Sequence, residues 1–207
     1  MENNSPVVDS DIVKVDKYEP HKIANGKNDA TFFVASDDID MADLQRYRQE
    51  TKTECLIAIT TTNKDYDCLK LADNVILCSP NEVQLVMQAF QLLHSGSGII
   101  GMDWNEVKWA ISSGRNIEFL HGMASGENCV ALACEQLIPK LKNLSSNYPI
   151  KNVMINMYAD ISFGCEQQDF IIQQIDKNLV LNDATTFYQL SFFHEFDYWK
   201  KGEQGCC

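Results

Sequence analysis

The sequence predicts an α/β protein in two α/β halves. Two patterns point there: short apolar strand-like runs alternate with segments of 3.6-residue periodicity, and a glycine-punctuated break near the middle restarts the alternation. A chain of 207 residues is long enough to bury roughly 70% of its unfolded surface, so it needs no disulfide framework. Hydrophobic residues at 45% and charged residues at 22% exclude disorder and fibre.

Residues 1–28 are polar and poor in periodicity, and read as a flexible leader with a short strand at Asp11–Val15. From Ala30 a βαβαβ series follows: strand Thr31–Ala35, helix Met41–Lys52, strand Cys55–Thr60, helix Tyr66–Ala72 and strand Asn74–Cys78. Parallel strands joined by crossovers are implied. Asn81 is placed to cap the next helix, which carries Val83, Val86, Met87, Phe90 and Leu93 on one face and stops at Ser95-Gly-Ser-Gly98. The second half then predicts helix Trp104–Ser113, strand Asn116–Leu120, helix Ser125–Leu144, strand Asn152–Ala159, helix Glu166–Leu179 and strand Thr185–Phe193, forming a sheet of its own. This gives four segments: 1–28, 29–97, 98–201 and a tail, 202–207.

With Lys+Arg 17 against Asp+Glu 29, the formal charge is −12, and no basic run appears. Nucleic acid and anionic membranes are therefore not expected partners. No apolar run approaches the ~20 residues of a membrane span and no basic-then-apolar signal opens the chain, so a cytoplasmic location is expected. Cys55, Cys68, Cys78, Cys129, Cys134 and Cys165 lie in apolar stretches with no Cys-x-x-Cys pair, and read as reduced core thiols. Cys206-Cys207 ends a polar tail and is expected to be exposed and inert. His21, His94, His121 and His194 lack ligand spacing, and no metal is expected. No Walker loop, nucleophile elbow, dinucleotide fingerprint or zinc motif occurs.

Two motifs carry chemistry. Gly98-Ile-Ile-Gly-Met-Asp-Trp-Asn-Glu-Val107 is a glycine-bounded loop presenting Asp103 and Glu106 at a helix entry, one face apart by i, i+3. Acidic residues there also serve as helix caps, and that structural role stays open. The second motif is Gly122-Met-Ala-Ser-Gly-Glu127, followed by an Ala-containing helix and Val153-Met-Ile-Asn-Met-Tyr-Ala-Asp160.

In order and spacing these segments resemble FtsZ, the cell-division GTPase related to tubulin, over about residues 30–193. The resemblance implies a partial Rossmann-like nucleotide-domain remnant, joined by a central helix to an FtsZ-like C-terminal α/β domain. In that family the acidic loop enters the nucleotide face of the next subunit, where its carboxylates position the attacking water. Carried over, Asp103 and Glu106 are candidate catalytic groups acting only in trans. Gly101, Met102, Asp103, Trp104 and Glu106 are then candidate partner-binding residues. Gly101 stands where the family usually has Asn, and Glu106 where it has Asp.

The family's phosphate loop is glycine-rich and follows a strand. Here the matching strand, Asp29–Ala35, runs into Ser36-Asp-Asp-Ile-Asp-Met-Ala-Asp43, with no glycine. Asp37, Asp38 and Asp40 would face the triphosphate, and one like-charge pair at ~5 Å costs about 3 kcal/mol at an effective dielectric near 20. On its own those carboxylates read as a helix N-terminal cap. The expectation is therefore no autonomous GTPase activity and no cofactor of its own, apart from the GTP of a partner subunit. The partner is an FtsZ-type protein or a second copy of this chain, and the function is modulation of filament assembly. Two alternatives stand beside it: a GTPase-activating partner supplying Asp103 and Glu106, and a self-associating scaffold. The last hairpin of the family is also shortened, which places an open sheet edge near Tyr188, Phe192 and Phe196.

Overall fold

The computed structural model of the chain describes residues 14–92, 98–100, 102–160, 162–179 and 185–192, the side chains of 92, 98–100 and 192 excepted. β-branched and aromatic runs build a five-stranded, wholly parallel sheet. Its strands are β1 (Val15–Lys17), β2 (Ala30–Val34), β3 (Cys55–Thr60), β4 (Asn74–Leu77) and β6 (Asn116–Glu118), in that spatial order. A second sheet has the order β5 (Gly98–Ile100), β8 (Thr185–Phe192), β7 (Asn152–Ala159); β7 and β8 run parallel, β5 antiparallel. The protein is thus mixed α/β, with the helices α1 (Met41–Glu50), α2 (Val83–Leu92), α3 (Trp104–Ser112), α4 (Cys129–Asn147) and α5 (Cys165–Asn178) between and around the sheets.

The central strands are buried on both faces, which is why β3 reads as an unbroken apolar run. Side-chain alternation then divides the core. Phe32, Ile57, Ile59 and Ile76 point to the face covered by α2 and α3, through Val86, Met87, Phe90, Val107 and Ile111. Phe33, Leu56 and Ala58 point to the other, covered by Leu44 and Tyr47 of α1 and by Cys68 of a 3-10 turn, Asp67–Leu71. That turn occupies the place where the periodicity predicts a helix over 66–72. The second sheet follows the same rule: Met154 and Phe187 pack toward the α2/α3 side, while Met157, Ala159 and Leu190 pack with Phe163, Ile171 and Val130 toward α4 and α5.

Five expectations change. Residues 14–28 fall in the segment read as a flexible leader, yet β1 pairs in register with β2, and Tyr18 is 2% exposed. The Tyr18 hydroxyl donates to Asp43 Oδ2 at 2.6 Å, the Tyr47 hydroxyl donates to Asp16 Oδ2, and the two rings meet edge to face at 5.3 Å. Buried hydroxyl–carboxylate pairs hold this segment, so apolar periodicity does not reveal it. The strand expected at 11–15 lies at Val15–Lys17, its earlier residues being outside the described part. Ser79, not Asn81, caps the turn into α2: Glu82 Oε2 accepts from Ser79 N at 2.7 Å.

β6, expected in the second sheet, pairs with β4 in the first. The buried Asn74 directs it there, since its Nδ2 donates to Ile111 O at 2.8 Å and Gly114 O at 3.0 Å, fixing the end of α3 against β4. Finally, β8 lies in the middle of its sheet. Among the described strands the edges of that sheet are β5 and β7, and Tyr188 is half-buried with its hydroxyl donating to Asp176 Oδ1 at 3.2 Å. Phe196 and the Phe192 side chain lie outside the described residues.

Cys55, Cys68, Cys78 and Cys134 are buried as expected, and burial pushes the Cys55 thiol up to about 12. Cys129 is half-buried and Cys165 is exposed, each at the first position of its helix, α4 and α5. Cys206 and Cys207 lie outside the described residues, as do His94 and His194. No described helix is long and apolar enough to cross a membrane.

Candidate functional site: the acidic start of helix α3

Asp103 is the N-cap of α3, in extended backbone, and Glu106 is the third residue of the helix. The two form a reciprocal capping box: Glu106 N donates to Asp103 Oδ1 at 2.8 Å, and Asp103 N donates to Glu106 Oε2 at 2.8 Å. Both carboxylates are exposed and share the first turn, where the helix dipole favours negative charge. Capping uses one oxygen of each, so the pair is held by two reciprocal bonds while both residues stay exposed.

The neighbouring candidates are placed differently. Met102 is 6% exposed and belongs to the core between the first sheet and α3, so its side chain is not a surface contact. Trp104 is half-buried against the same core, and its Nε1 donates to Glu54 Oε2 at 3.3 Å. Gly101 lies outside the described residues.

Glu54, just before β3, is a functional neighbour that sequence reasoning missed. Lys27 Nζ reaches its Oε1 at 2.8 Å and Lys108 Nζ its Oε2 at 3.0 Å, with Trp104 as a third donor. No motif marks it, because its partners come from two distant segments, the turn before β2 and helix α3. The Lys27 and Lys108 hydrogen bonds, the former largest, hold the Glu54 carboxyl down from 4.5 to about 2. A carboxyl with a lowered folded pKa stabilises the fold above its ordinary pKa and loses that contribution as pH falls toward the folded value. The stability difference between the wild type and Glu54→Gln is accordingly expected to be constant above pH 4.5 and to shrink between 4.5 and 2. Thermal melts of both proteins across that window check it. The effect is small, within about 1 kcal/mol, since the side chain is 35% exposed and screened by solvent.

The turn after β2 is the second part of the site. Asp40 caps α1, its carboxylate accepting from Ala42 N at 2.8 Å and Asp43 N at 3.3 Å. Those are the helix N-terminal donors that a phosphate would otherwise use. Asp37 and Asp38 are exposed, and Asp37 pairs with Lys64. Asp43 turns inward to Tyr18, His21 and Arg46, and its carboxyl is held below the usual range, chiefly by the Tyr18 hydrogen bond. The start of α1 thus carries its own anions. Among the described residues, no group of three or more His, Cys, Asp or Glu is arranged to hold a metal.

The second motif, Gly122 to Glu127, is a loop leading into α4. Gln136 of α4 clasps it, accepting from Met123 N at 3.2 Å and donating to Met123 O at 2.8 Å. Gly126 and Asn128 have φ of +83° and +66°, the left-handed turn that swings the chain into the helix.

No family model and no curated protein matches the chain. Among solved structures, an empty FtsZ dimer from M. jannaschii is similar, with a TM-score of 0.47 and 15% identity, over 81% of this chain and 51% of that one. The chain spans about half the length of that neighbour.

His121, beyond β6, was expected to play a structural part. Its Nδ1 lies 2.8 Å from Glu82 Oε1, and its ring stacks on Phe119 at 6.0 Å. Beside it opens a cleft of about 1910 Å³, lined by β6 from the first sheet and by β7, α4 and α5 from the second half.

Proposed function

We propose that this chain is a degenerate FtsZ-like protein that binds FtsZ-type subunits through the acidic start of α3 and modulates filament assembly in cell division, without hydrolysing GTP by itself. The observation that carries this reading is the exposed, reciprocally capped pair Asp103 and Glu106 at the start of α3. The resemblance of Gly98–Val107 and Gly122–Glu127 to the family's motifs supports an FtsZ-type partner. Asp38 and Asp40 at the turn after β2 support the absence of a GTP site in the chain itself, because each carboxylate repels a triphosphate, whereas Asp37 is paired with Lys64. Such a subunit has one competent end. Docked on an exposed nucleotide face, it stops further addition there.

The test uses Asp103→Asn with Glu106→Gln, which removes both charges but keeps groups able to cap the helix. Substoichiometric wild-type protein is expected to co-pellet with FtsZ and to shift its assembly measured by light scattering, and the double variant is expected to lose both effects. Equal behaviour of the two proteins, or no co-pelleting by either, removes the proposal. Phosphate release in the same samples separates capping from catalysis in trans: a positioned general base contributes ~10²–10⁴-fold, so an accelerated rate that disappears in the variant selects the GTPase-activating alternative.

A further inference from the structure

The cleft between the two sheets is bordered by two strand edges that no other described strand covers. β6 is bonded to β4 alone and β7 to β8 alone. The two edges start from one anchored point. Asn152 Nδ2 donates to Ala110 O and to Ser113 Oγ, both at 2.8 Å, and Lys151 Nζ donates to Ser113 O at 3.1 Å. From there β7 runs for eight residues, an edge of about 26 Å at ~3.3 Å per residue.

At about 1910 Å³ the cleft exceeds the roughly 300–1,000 Å³ of a small-ligand pocket. Its lining is largely apolar, with Ile117, Leu137 and Ile155 among the residues facing it. An exposed strand edge beside an apolar trough is the geometry of β-strand addition, in which the main chain supplies affinity and alternate side chains supply specificity.

Charge selects the occupant. The chain carries −12 overall, yet the cleft is lined by Lys64, Arg115, Lys140 and Lys151 against Asp65 and Glu118. Lys64 is matched by Asp37. Among the described residues Arg115, Lys140 and Lys151 donate to the carbonyls of Leu69, His121 and Ser113 and form no salt bridge, although Glu82 lies near enough to Lys140 to feel its charge. Three cations around an apolar trough, in a strongly acidic protein, favour an anionic partner.

We propose that the free edge of β7 receives an extended acidic segment of a partner protein, with apolar and carboxylate side chains in alternation, which adds as a fourth strand to the second sheet. The apolar side chains enter the trough and the carboxylates meet Lys140 and Lys151. This site is separate from the start of α3 and does not depend on the FtsZ reading.

The experiment is hydrogen exchange on the full 207-residue chain, titrated with an eight-residue peptide of alternating Val and Glu. The expected result is slowed exchange across residues 152–159. Affinity is expected to fall at least about tenfold with Lys140→Glu plus Lys151→Glu, both exposed positions, and to weaken in the wild type as salt rises. Two control peptides are used, one with Lys in place of Glu and one with the same residues in two blocks. No added protection, or equal protection by either control, overturns the proposal. Two further outcomes do the same without peptide: protection of 152–159 that is lost on deleting residues 193–207 assigns the edge to the chain's own end, and protection that rises with protein concentration assigns it to a second copy.

Discussion

Phe32→Ala is expected to cost about 3–5 kcal/mol, the range for deleting a buried aromatic ring. Phe32 is 1% exposed on β2, and it meets Phe90 of α2 edge to face with centroids 5.0 Å apart and planes at 62°. Its neighbours on that face, Ile57 and Val86, are fully buried and anchored in β3 and α2, so they cannot collapse into the vacated volume without moving the strand or the helix. The loss is a large share of the 5–15 kcal/mol that a domain has in total. Urea unfolding followed by circular dichroism checks it: the midpoint falls while the slope stays unchanged. A loss under 1 kcal/mol would mean that α2 does not seal this face of the sheet.

Gly122→Ala is expected to destabilise by about 1–3 kcal/mol, the cost of forcing atoms into a packed site. A Cβ built on Gly122 lies 2.3 Å from Ala133 O and 3.1 Å from its carbonyl carbon, both backbone atoms of α4. No side chain can swing aside to relieve that contact, so either the loop or the first turns of α4 must shift. The same shift would break the Gln136 clasp on Met123. Ala at Gly114 is the control, since a Cβ there meets nothing within 4 Å. Thermal melts of the two variants should separate, with Gly122→Ala the lower. In the second motif, then, Gly122 is a packing requirement between loop and helix.

The legible parts of this protein are those where local chemistry and burial agree. β2, β3 and β4 announce themselves because both faces are covered and every residue can be apolar. Asp103 and Glu106 were legible in the same way: i, i+3 spacing at a helix start is a local pattern, and it appears as a capping box. Tyr18, Tyr47, Asp16 and Asp43 were not legible, because a buried hydroxyl bonded to a carboxylate looks polar in a sequence. Met102, one of the candidate partner-binding residues, is buried. Its place in the core is set by how α3 lies on the sheet, which no spacing in the loop records.

By itself the sequence determined the α/β class, the order of most helices and strands, and the acidic character of the two loops, because each of these follows from residue type and short-range period. Only the tertiary structure decided that β6 joins the first sheet, that β8 lies in the middle of the second, and that Lys27, Glu54, Trp104 and Lys108 meet beside the start of α3. Those arrangements depend on contacts between residues far apart in the chain, Lys108 and Glu54 being 54 positions apart. Side-chain period says which face of an element is buried, and packing alone chooses what buries it.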